Sequence, residues 1–448
     1  MSRKLVLIVI DGLTPVAFER AVEGRRAPAL AFLAEHGRYA RGVSTFPSLT
    51  PVCLSSISTG GHPDIHRIPH LVWYHRGERR VVEYGSSWGA IRAAGTRRSI
   101  VDTIFNMNEE HLGAEAVTIF EALEDAGYTA AAINFTCYRG RTRHPPAVPG
   151  VGRPAYGPRR FFFFNLFESD NTGAPLAVFG RATGSIDAYA AAVGRWLVTR
   201  DGFDLLVYYL PDYDFASHVA GPEAAEEALA RSDAAIGALF SAAGGPDEFL
   251  ARYAVVVCAD HGQTHVRQAV RLEDRFADAE AIVTASNRAA MVYRTERTRE
   301  DERQLAGRLD AEPAVEAALF RDGDEAVARR AGEELRFTPA KDGWRTSGDL
   351  AVLPQPDAFE RAWAALRNPN AGDVLVSAAD GFEFADLAGR SHVGGGSHGG
   401  LAGADSEVPL LTVGLDASPR SIIDVAPLAL AYFGVEPPAY ARELANAA

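Results

Sequence analysis

Three short apolar runs, each followed by aspartate, constrain the fold of this chain more than any other feature. The runs are residues 5–10, 203–210 and 253–258, and the aspartates that follow them are Asp11, Asp212 with Asp214, and Asp260. Short continuous apolar runs rich in β-branched residues are typical of parallel strands buried on both faces. Open α/β sheets bind their ligands beyond the carboxyl ends of such strands. The pattern therefore predicts a doubly wound, mostly parallel α/β sheet with a polar site at one edge.

The order of the elements predicts a core interrupted by an insertion. Strand and helix patterns alternate up to about residue 265 and again from about residue 396, whereas the segment between them mixes short strands with a charged helix near residues 299–309. A chain of 448 residues is long enough for a large core and a second, smaller unit. We expect a discontinuous α/β core, residues 1–265 and 396–448, and an inserted α+β cap, residues 266–395.

Local patterns predict several smaller elements. We expect helices over residues 28–36, 115–128, 186–198, 222–243 and 422–433, a hairpin over residues 71–84, and strands over residues 129–135 and 408–413. Thr50 followed by Pro51 predicts an N-cap at the start of a short helix. The four phenylalanines at 161–164 are too apolar to be exposed, and we expect them to pack beneath the loop 138–160.

Charge and cysteine content exclude several classes of protein. The formal net charge of −13 argues against a nucleic-acid scaffold. Cys53, Cys137 and Cys258 form no CxxC pair, which argues against a disulfide framework and favours a reducing, cytoplasmic location. No apolar run approaches transmembrane length, so we expect no membrane association. The sequence leaves the oligomeric state open.

Seven side chains with oxygen or imidazole donors follow these strands or lie in other motifs. They are Asp11, Thr50, Asp214, His218, Asp260, His261 and His398. Asp214 and His218 are four residues apart, so one helical turn would point both in the same direction, with Asp212 as the alternative donor. Taken alone, each donor has an ordinary explanation as a turn residue, a helix cap or a loop histidine. Their joint occurrence favours a metal site.

The number and type of these donors suit two divalent metal ions. Mixed carboxylate and imidazole donors favour Zn²⁺, with Mn²⁺ as the main alternative. Two ions roughly 3.5–4 Å apart can hold the attacking and leaving oxygens of an in-line displacement. The donor set therefore predicts hydrolysis at phosphorus, with Thr50 as the nucleophile and a phospho-threonine intermediate.

The order and form of these motifs resemble the alkaline phosphatase superfamily, in its type I phosphodiesterase/nucleotide pyrophosphatase branch. Asp11-Gly12 is similar to the motif with the first metal-binding aspartate, and Phe-Pro-Ser-Leu-Thr at 46–50 resembles the nucleophile motif Phe-Pro-Thr-x-Thr. Residues 214–222 resemble Asp-x-x-Gly-His-x-x-Gly-Pro, with Ser217 where glycine is usual. Asp-His-Gly at 260–262 and Ser-His-Gly at 397–399 resemble the last two motifs. The resemblance covers residues 1–66, about 200–265 and 395–440.

The resemblance implies how the donors are divided between two ions. One ion would take Asp11, Thr50, Asp260 and His261, and the other would take Asp214, His218 and His398. It implies a phosphodiesterase or nucleotide pyrophosphatase that acts on a small phosphorylated substrate. A phosphomonoesterase, a phosphonate hydrolase and a degenerate relative that binds a ligand without turnover remain as alternatives.

The resemblance also places two substrate-binding positions beside the nucleophile. Phe46 begins the nucleophile motif, and Cys53 stands where that branch usually has asparagine, three residues after Thr50. One helical turn would bring the Cys53 side chain to the face that carries Thr50, where a thiol donates only a weak hydrogen bond. The alternative is that Cys53 faces the core as a small hydrophobic residue.

Overall fold

The computed structural model describes residues 4–147, 152–169 and 185–442. The predicted ends of the α/β core, residues 1–3 and 443–448, lie outside the described residues. Among the described residues, no helix combines the length and the apolar character that a membrane span requires.

An eight-stranded sheet forms the centre of the larger part of the molecule. Its strands, in spatial order, are Arg38–Val43, Glu407–Val413, Ala254–Cys258, Leu5–Ile10, Leu205–Leu210, Ala130–Ile133, Arg160–Phe163 and Phe167–Ser169. The five strands from the third to the seventh are mutually parallel, and the pairings outside them are antiparallel. The predicted α/β class with a mostly parallel sheet is confirmed.

The register of the three central strands brings their carboxyl ends to one level. Ile10 pairs with Leu210, and Val9 pairs with Cys258. Every residue of these three strands is buried, as expected for strands covered on both faces. The residues that follow the three strands therefore leave the sheet at the same edge.

Two groups of helices pack around this sheet. The helices are Pro15–Glu23, Pro28–His36, Thr50–Thr59, Pro63–His66, Trp88–Ala94, Thr96–Val101, Ile119–Asp125, Ile186–Thr199, Asp212–Ala220, Glu226–Ala243, Pro246–Leu250, Gly403–Ser406 and Val425–Phe433, with a π-helix at Asp102–His111. In one group Glu226–Ala243 contacts Ile186–Thr199 and Pro28–His36. In the other, Val425–Phe433 contacts Thr50–Thr59 and Ile119–Asp125. This is the doubly wound arrangement that the sequence predicts.

Four two-stranded ribbons lie outside the large sheet. They are Val72–His75 with Arg80–Glu83, Thr142–His144 with Ala155–Gly157, Thr264–His265 with Gly396–Ser397, and Gln268–Val270 with Phe382–Phe384. The first is the predicted hairpin. In the third, Thr264 pairs with Ser397, so the loop that carries His261 lies beside the loop that carries His398.

Two local predictions differ from the structure in detail. Phe161 does pack against Tyr138 and His144 of the loop, as predicted, but Arg160–Phe163 is also the last parallel strand of the large sheet. A strand at that position is buried on both faces, which explains the run of phenylalanines. The helix predicted from Thr50 has Leu49 as its N-cap, and no side chain caps it. The Thr50 hydroxyl is therefore free for another contact.

A seven-stranded antiparallel sheet lies within residues 282–378. Its strands, in spatial order, are Ile282–Ser286, Ala289–Tyr293, Val374–Ala378, Val315–Asp322, Glu325–Arg330, Glu333–Ala340 and Gly343–Gly348. Two helices, Glu302–Asp310 and Ala358–Arg367, belong to this part of the chain. The content agrees with an inserted α+β unit, while its boundaries at residues 266 and 395 stay a prediction.

The two helices cover opposite faces of this second sheet. Leu305 of the first helix lies in one apolar cluster with Phe320, whereas Ala362 of the second helix lies in another with Leu319. Phe320 and Leu319 are neighbours in one strand, and neighbouring residues of a strand face opposite sides. Both faces of the sheet are therefore covered at this central strand, whereas the outer strand Gly343–Gly348 is largely exposed.

A buried ion pair connects the second sheet to the loop that follows His398. Arg288 Nε donates to Asp405 Oδ2 at 2.8 Å, and neither side chain has exposed surface. The same carboxylate oxygen accepts from the Gly400 backbone N–H at 2.8 Å. The pair thus fixes the glycine-rich loop relative to the strand that begins at Ala289.

We expect Arg288→Ala to destabilise the protein strongly, because it leaves the Asp405 carboxylate buried without its cation. Breaking a buried ion pair from one side costs about 3–5 kcal/mol, and chemical unfolding would measure the loss. Arg267→Ala is the control, since Arg267 forms an ion pair with Asp380 in which both side chains are largely exposed. It should change stability little. Equal losses in the two variants would contradict the structural role of Arg288.

Candidate metal centre

Three side chains converge on one ring nitrogen of His261 at the edge of the large sheet. His261 Nε2 lies 3.2 Å from Thr50 Oγ1, 3.2 Å from Asp11 Oδ1 and 3.4 Å from Asp260 Oδ2. His261, Asp11 and Asp260 are buried, whereas Thr50 is partly exposed. Two carboxylates, an imidazole and a hydroxyl at one point form a donor set that suits a divalent transition-metal ion.

Each of the two carboxylates uses one oxygen for hydrogen bonds and leaves the other free. The backbone N–H groups of Gly12 and His261 donate to Asp260 Oδ1 at 3.1 and 3.0 Å. The Tyr209 hydroxyl donates to Asp11 Oδ2. Asp260 Oδ2 and Asp11 Oδ1 are buried and have no hydrogen-bond partner. Buried polar atoms are rarely left unpaired, so these two oxygens indicate a cation site.

Gly12 allows the chain to turn directly beside these groups. Its φ of +67° lies in the left-handed region that favours glycine. A Cβ at this position would lie 2.6 Å from Gln263 Nε2 and 2.8 Å from Asp214 Oδ1. Any side chain here would therefore push the Asp214 carboxylate out of place.

The remaining predicted donors lie next to the first set. His218 Nε2 is 3.2 Å from Asp214 Oδ2, and His398 Nε2 is 3.9 Å from Asp214 Oδ1. The rings of His398 and His261 stack with centroids 3.5 Å apart. One ligand atom each from Asp214, His261 and His398 lie within 4.8 Å of one another. The structure thus brings all seven predicted donors into one continuous cluster, and their division between two ions stays a prediction.

All three histidines are oriented by backbone carbonyl groups. His218 Nδ1 lies 2.8 Å from the carbonyl oxygen of Gly396. His261 Nδ1 lies 3.0 Å from that of Gly262, and His398 Nδ1 lies 2.8 Å from that of Ser48. A carbonyl oxygen only accepts hydrogen bonds, so each neutral ring carries its proton on Nδ1 and keeps a lone pair on Nε2. This orientation is typical of metal-binding histidines, and the residues therefore fit a metal ion.

The electrostatics of the cluster also favour a bound cation. Burial raises the pKa of both Asp11 and Asp260, and neighbouring carboxylates raise it further. Burial opposes charge on His261, but Asp260 and Asp11 raise its pKa to about 10. Burial likewise opposes charge on His218, but Asp214 raises its pKa. Three carboxylates in a buried site need compensating positive charge, which these two imidazoles offset only in part. Divalent ions would supply that charge.

The other polar residues near the motifs have different roles. Asp212, the alternative donor, accepts a hydrogen bond from the Ile186 N–H at 3.2 Å, beside the start of the helix Ile186–Thr199. His66 is buried and hydrogen-bonded to Ser56, and His265 is exposed.

His392 is only partly exposed and contacts one of the predicted metal ligands. Its ring stacks on the ring of His218 at 4.1 Å, and its Nδ1 lies 3.2 Å from Glu383 Oε2. Since Glu383 is buried, this contact fixes His392 against one of the predicted metal ligands.

Sequence reasoning missed the residues that orient the donors. Gln263 Nε2 donates to Asp214 Oδ1, while Gln263 Oε1 accepts from Ser217 Oγ at 2.7 Å. Asn287 Nδ2 lies 3.1 Å from His398 Nε2.

Ser217 was a usable signal, because it stands where the resembled motif has glycine and supplies the hydroxyl that holds Gln263. Asn287 lies more than a hundred residues from His398 in the sequence, and no local pattern connects the two.

The two predicted substrate-binding residues lie in packed regions. Cys53 has no exposed surface, and its Sγ lies 3.2 Å from Ser44 Oγ. Phe46 is also fully buried and packs with Met291 and Leu319 of the second sheet. The helix that begins at Thr50 is buried on all sides beyond its first residue, so its next turn faces the core. Neither side chain has exposed surface that a substrate could touch. Cys53 therefore agrees with the alternative prediction, in which it faces the core as a small hydrophobic residue.

Solved structures share this fold over almost the whole chain. Phosphonoacetate hydrolase from Sinorhizobium meliloti, in complex with phosphonoformate, aligns with a TM-score of 0.64 and 19% identity, covering 97% of this chain and 96% of its own. Murine ectonucleotide pyrophosphatase/phosphodiesterase 5 aligns with a TM-score of 0.63 and 13% identity, covering 99% and 98%. At sequence identities this low, the structural similarity shows that the fold is shared and nothing more. No curated protein matches the sequence.

The family comparison reaches the same group of proteins through the sequence. The match spans residues 5–401, which includes the motifs of all seven donors. It also covers the second sheet and both of its helices. The chain therefore belongs to the type I phosphodiesterase/nucleotide pyrophosphatase family.

Proposed function

We propose that this protein is a metal-dependent phosphoesterase that hydrolyses phosphodiester or nucleotide pyrophosphate bonds through a phospho-threonine intermediate. The observation that carries the proposal is the position of Thr50. Its hydroxyl lies 3.2 Å from His261 Nε2, at the same point as two unpaired carboxylate oxygens, and it is the partly exposed member of that set. Membership of the family supports the hydrolase class.

The residues of the site would have the following roles in the reaction. Thr50 Oγ1 forms the new bond to phosphorus while the bond to the leaving oxygen breaks, and water then displaces Thr50. The hydroxyl proton is lost to solvent at the exposed side of the residue. The backbone carbonyls and Gln263 hold the imidazole and carboxylate donors in place throughout.

Two divalent ions would lower the pKa of the attacking hydroxyl and stabilise the leaving oxygen. By the family resemblance, Asp11, Thr50, Asp260 and His261 would hold one ion, and Asp214, His218 and His398 the other. The mixed donors favour Zn²⁺ over Mn²⁺. We propose a cytoplasmic location as well, on the support of three buried free cysteines in the described residues.

Diesters and pyrophosphates fit the site better than dianionic monoesters. A monoester needs additional positive charge, yet two buried arginines that contact the site loops are already engaged. Arg288 is paired with Asp405, and Arg361 Nη2 donates to Ser406 Oγ at 2.5 Å and to the Thr45 carbonyl at 3.3 Å. Neither guanidinium is available to a substrate.

A substrate panel assayed with added Zn²⁺ and Mn²⁺ tests the proposed function. It should contain nitrophenyl phosphodiesters and monoesters, nucleotide pyrophosphates, phosphonates and sulfate esters. We expect kcat/KM for the diester or pyrophosphate to exceed that for the monoester by about tenfold or more, equivalent to 1.4 kcal/mol of transition-state binding. Preferred cleavage of phosphonates would favour the phosphonate hydrolase alternative, and no turnover of any compound would favour the non-catalytic one.

We expect Thr50→Ala to abolish turnover while the protein stays folded. Removing the nucleophile of another hydrolase costs about 10⁶-fold in kcat. The Thr50 side chain makes no helix-capping bond, so its loss should affect unfolding little. Steady-state kinetics and thermal unfolding would measure both effects, with Thr50→Ser as the control that keeps a hydroxyl. A folded Thr50→Ala variant with turnover near that of the wild type would contradict the mechanism.

A further inference from the structure

A second cluster of metal-type donors lies apart from the site described above. Glu78 lies in the turn of the hairpin Val72–His75 with Arg80–Glu83, while Glu110 and His111 end the π-helix Asp102–His111. One carboxylate oxygen from each glutamate and one ring nitrogen of His111 lie within 4.8 Å of one another.

His111 is the residue that points to a ligand. Its side chain is almost completely buried, with 5% of its surface exposed. Nδ1 lies 2.7 Å from the Tyr84 hydroxyl, whereas Nε2 is buried and has no hydrogen-bond partner. When Nδ1 donates its proton to the Tyr84 oxygen, Nε2 presents a lone pair. The neutral imidazole with a lone pair on one ring nitrogen is the form of histidine that binds a metal ion.

Each glutamate has an oxygen available for an ion. Glu78 Oε2 accepts from Arg80 Nε at 2.5 Å, which leaves Glu78 Oε1 without an arginine partner. Glu110 is exposed, and its carboxylate makes no ion pair within the described residues.

His75 lies close to this cluster but is not a suitable ligand. The Glu78 backbone N–H donates to His75 Nδ1 at 3.0 Å, so the neutral His75 ring carries its proton on Nε2. That nitrogen lies 3.6 Å from Glu78 Oε1, which is beyond hydrogen-bond distance, so the carboxylate oxygen stays available. His75 therefore helps to position Glu78.

We propose that Glu78, Glu110 and His111 bind a divalent transition-metal ion, with Zn²⁺ preferred and water completing the coordination. One imidazole and two carboxylates are ligands that Zn²⁺ takes in proteins, in a tetrahedral arrangement with a fourth position open. The exposed glutamates leave that position accessible to solvent.

The ion would hold the hairpin against the π-helix. The hairpin also contacts the second sheet, because Arg76 Nη2 donates to Asp373 Oδ2 at 3.0 Å and the Arg76 guanidinium lies 4.8 Å from the Tyr293 ring centroid. An ion at Glu78 would thus stabilise a segment that joins the two parts of the molecule. Its role is structural and does not depend on the reaction at Thr50.

Zinc stoichiometry in matched variants tests this site. Wild type, the double variant Glu78→Gln/Glu110→Gln and the control Glu109→Gln would be dialysed against Zn²⁺ and analysed for bound metal per chain. Glu109 precedes Glu110 in the same helix but pairs with Arg153, so its variant removes a neighbouring charge outside the cluster. We expect the double variant to hold one ion fewer than the wild type, and the control to hold the same number.

The comparison is a difference between variants, so it does not depend on how many ions the Thr50 site holds. Thermal unfolding gives a second measurement, in which added Zn²⁺ should raise the Tm of the wild type and the control more than that of the double variant. Equal zinc content in the wild type and the double variant would overturn the proposal. Loss of an ion from the Glu109→Gln control as well would also overturn it.

Discussion

The structure depends on the concentration of buried negative charge at the carboxyl ends of the central parallel strands. Asp11, Asp214 and Asp260 are all buried, and burial opposes the ionised form of each. Isolated carboxylates in such a place would be neutral or strongly destabilising. Two of them keep an unpaired oxygen directed at His261 Nε2. Bound cations would offset this charge.

The rest of the fold holds these donors at fixed distances. In-register parallel strands bring Asp11 and Asp260 to one level, and one turn of the helix Asp212–Ala220 points Asp214 and His218 in the same direction. The ribbon between residues 264–265 and 396–397 adds the loop of His398. Backbone carbonyls then fix the tautomer of each imidazole, so that the lone pairs face inward. The second sheet packs on the segment before Thr50 through Phe46.

Features that depend on local pattern were predictable from the sequence. The continuous apolar runs predicted the parallel strands, and the donors at their ends were predicted to lie close together, because parallel strands bring their carboxyl ends to one edge of the sheet. Features that depend on tertiary packing were not predictable. Helical spacing placed Cys53 on the face that carries Thr50, with the core as the alternative, and in the folded chain the helix is buried all round and Cys53 lies in the core. The contacts of Asn287 with His398 and of Gln263 with Asp214 required the folded chain.

The most direct test of the central claim is anomalous diffraction at the zinc absorption edge, from crystals grown with Zn²⁺. The account predicts two peaks at the edge of the large sheet. One should be bounded by Asp11, Thr50, Asp260 and His261, and the other by Asp214, His218 and His398. A single peak, or no peak, among these residues would contradict a two-metal site.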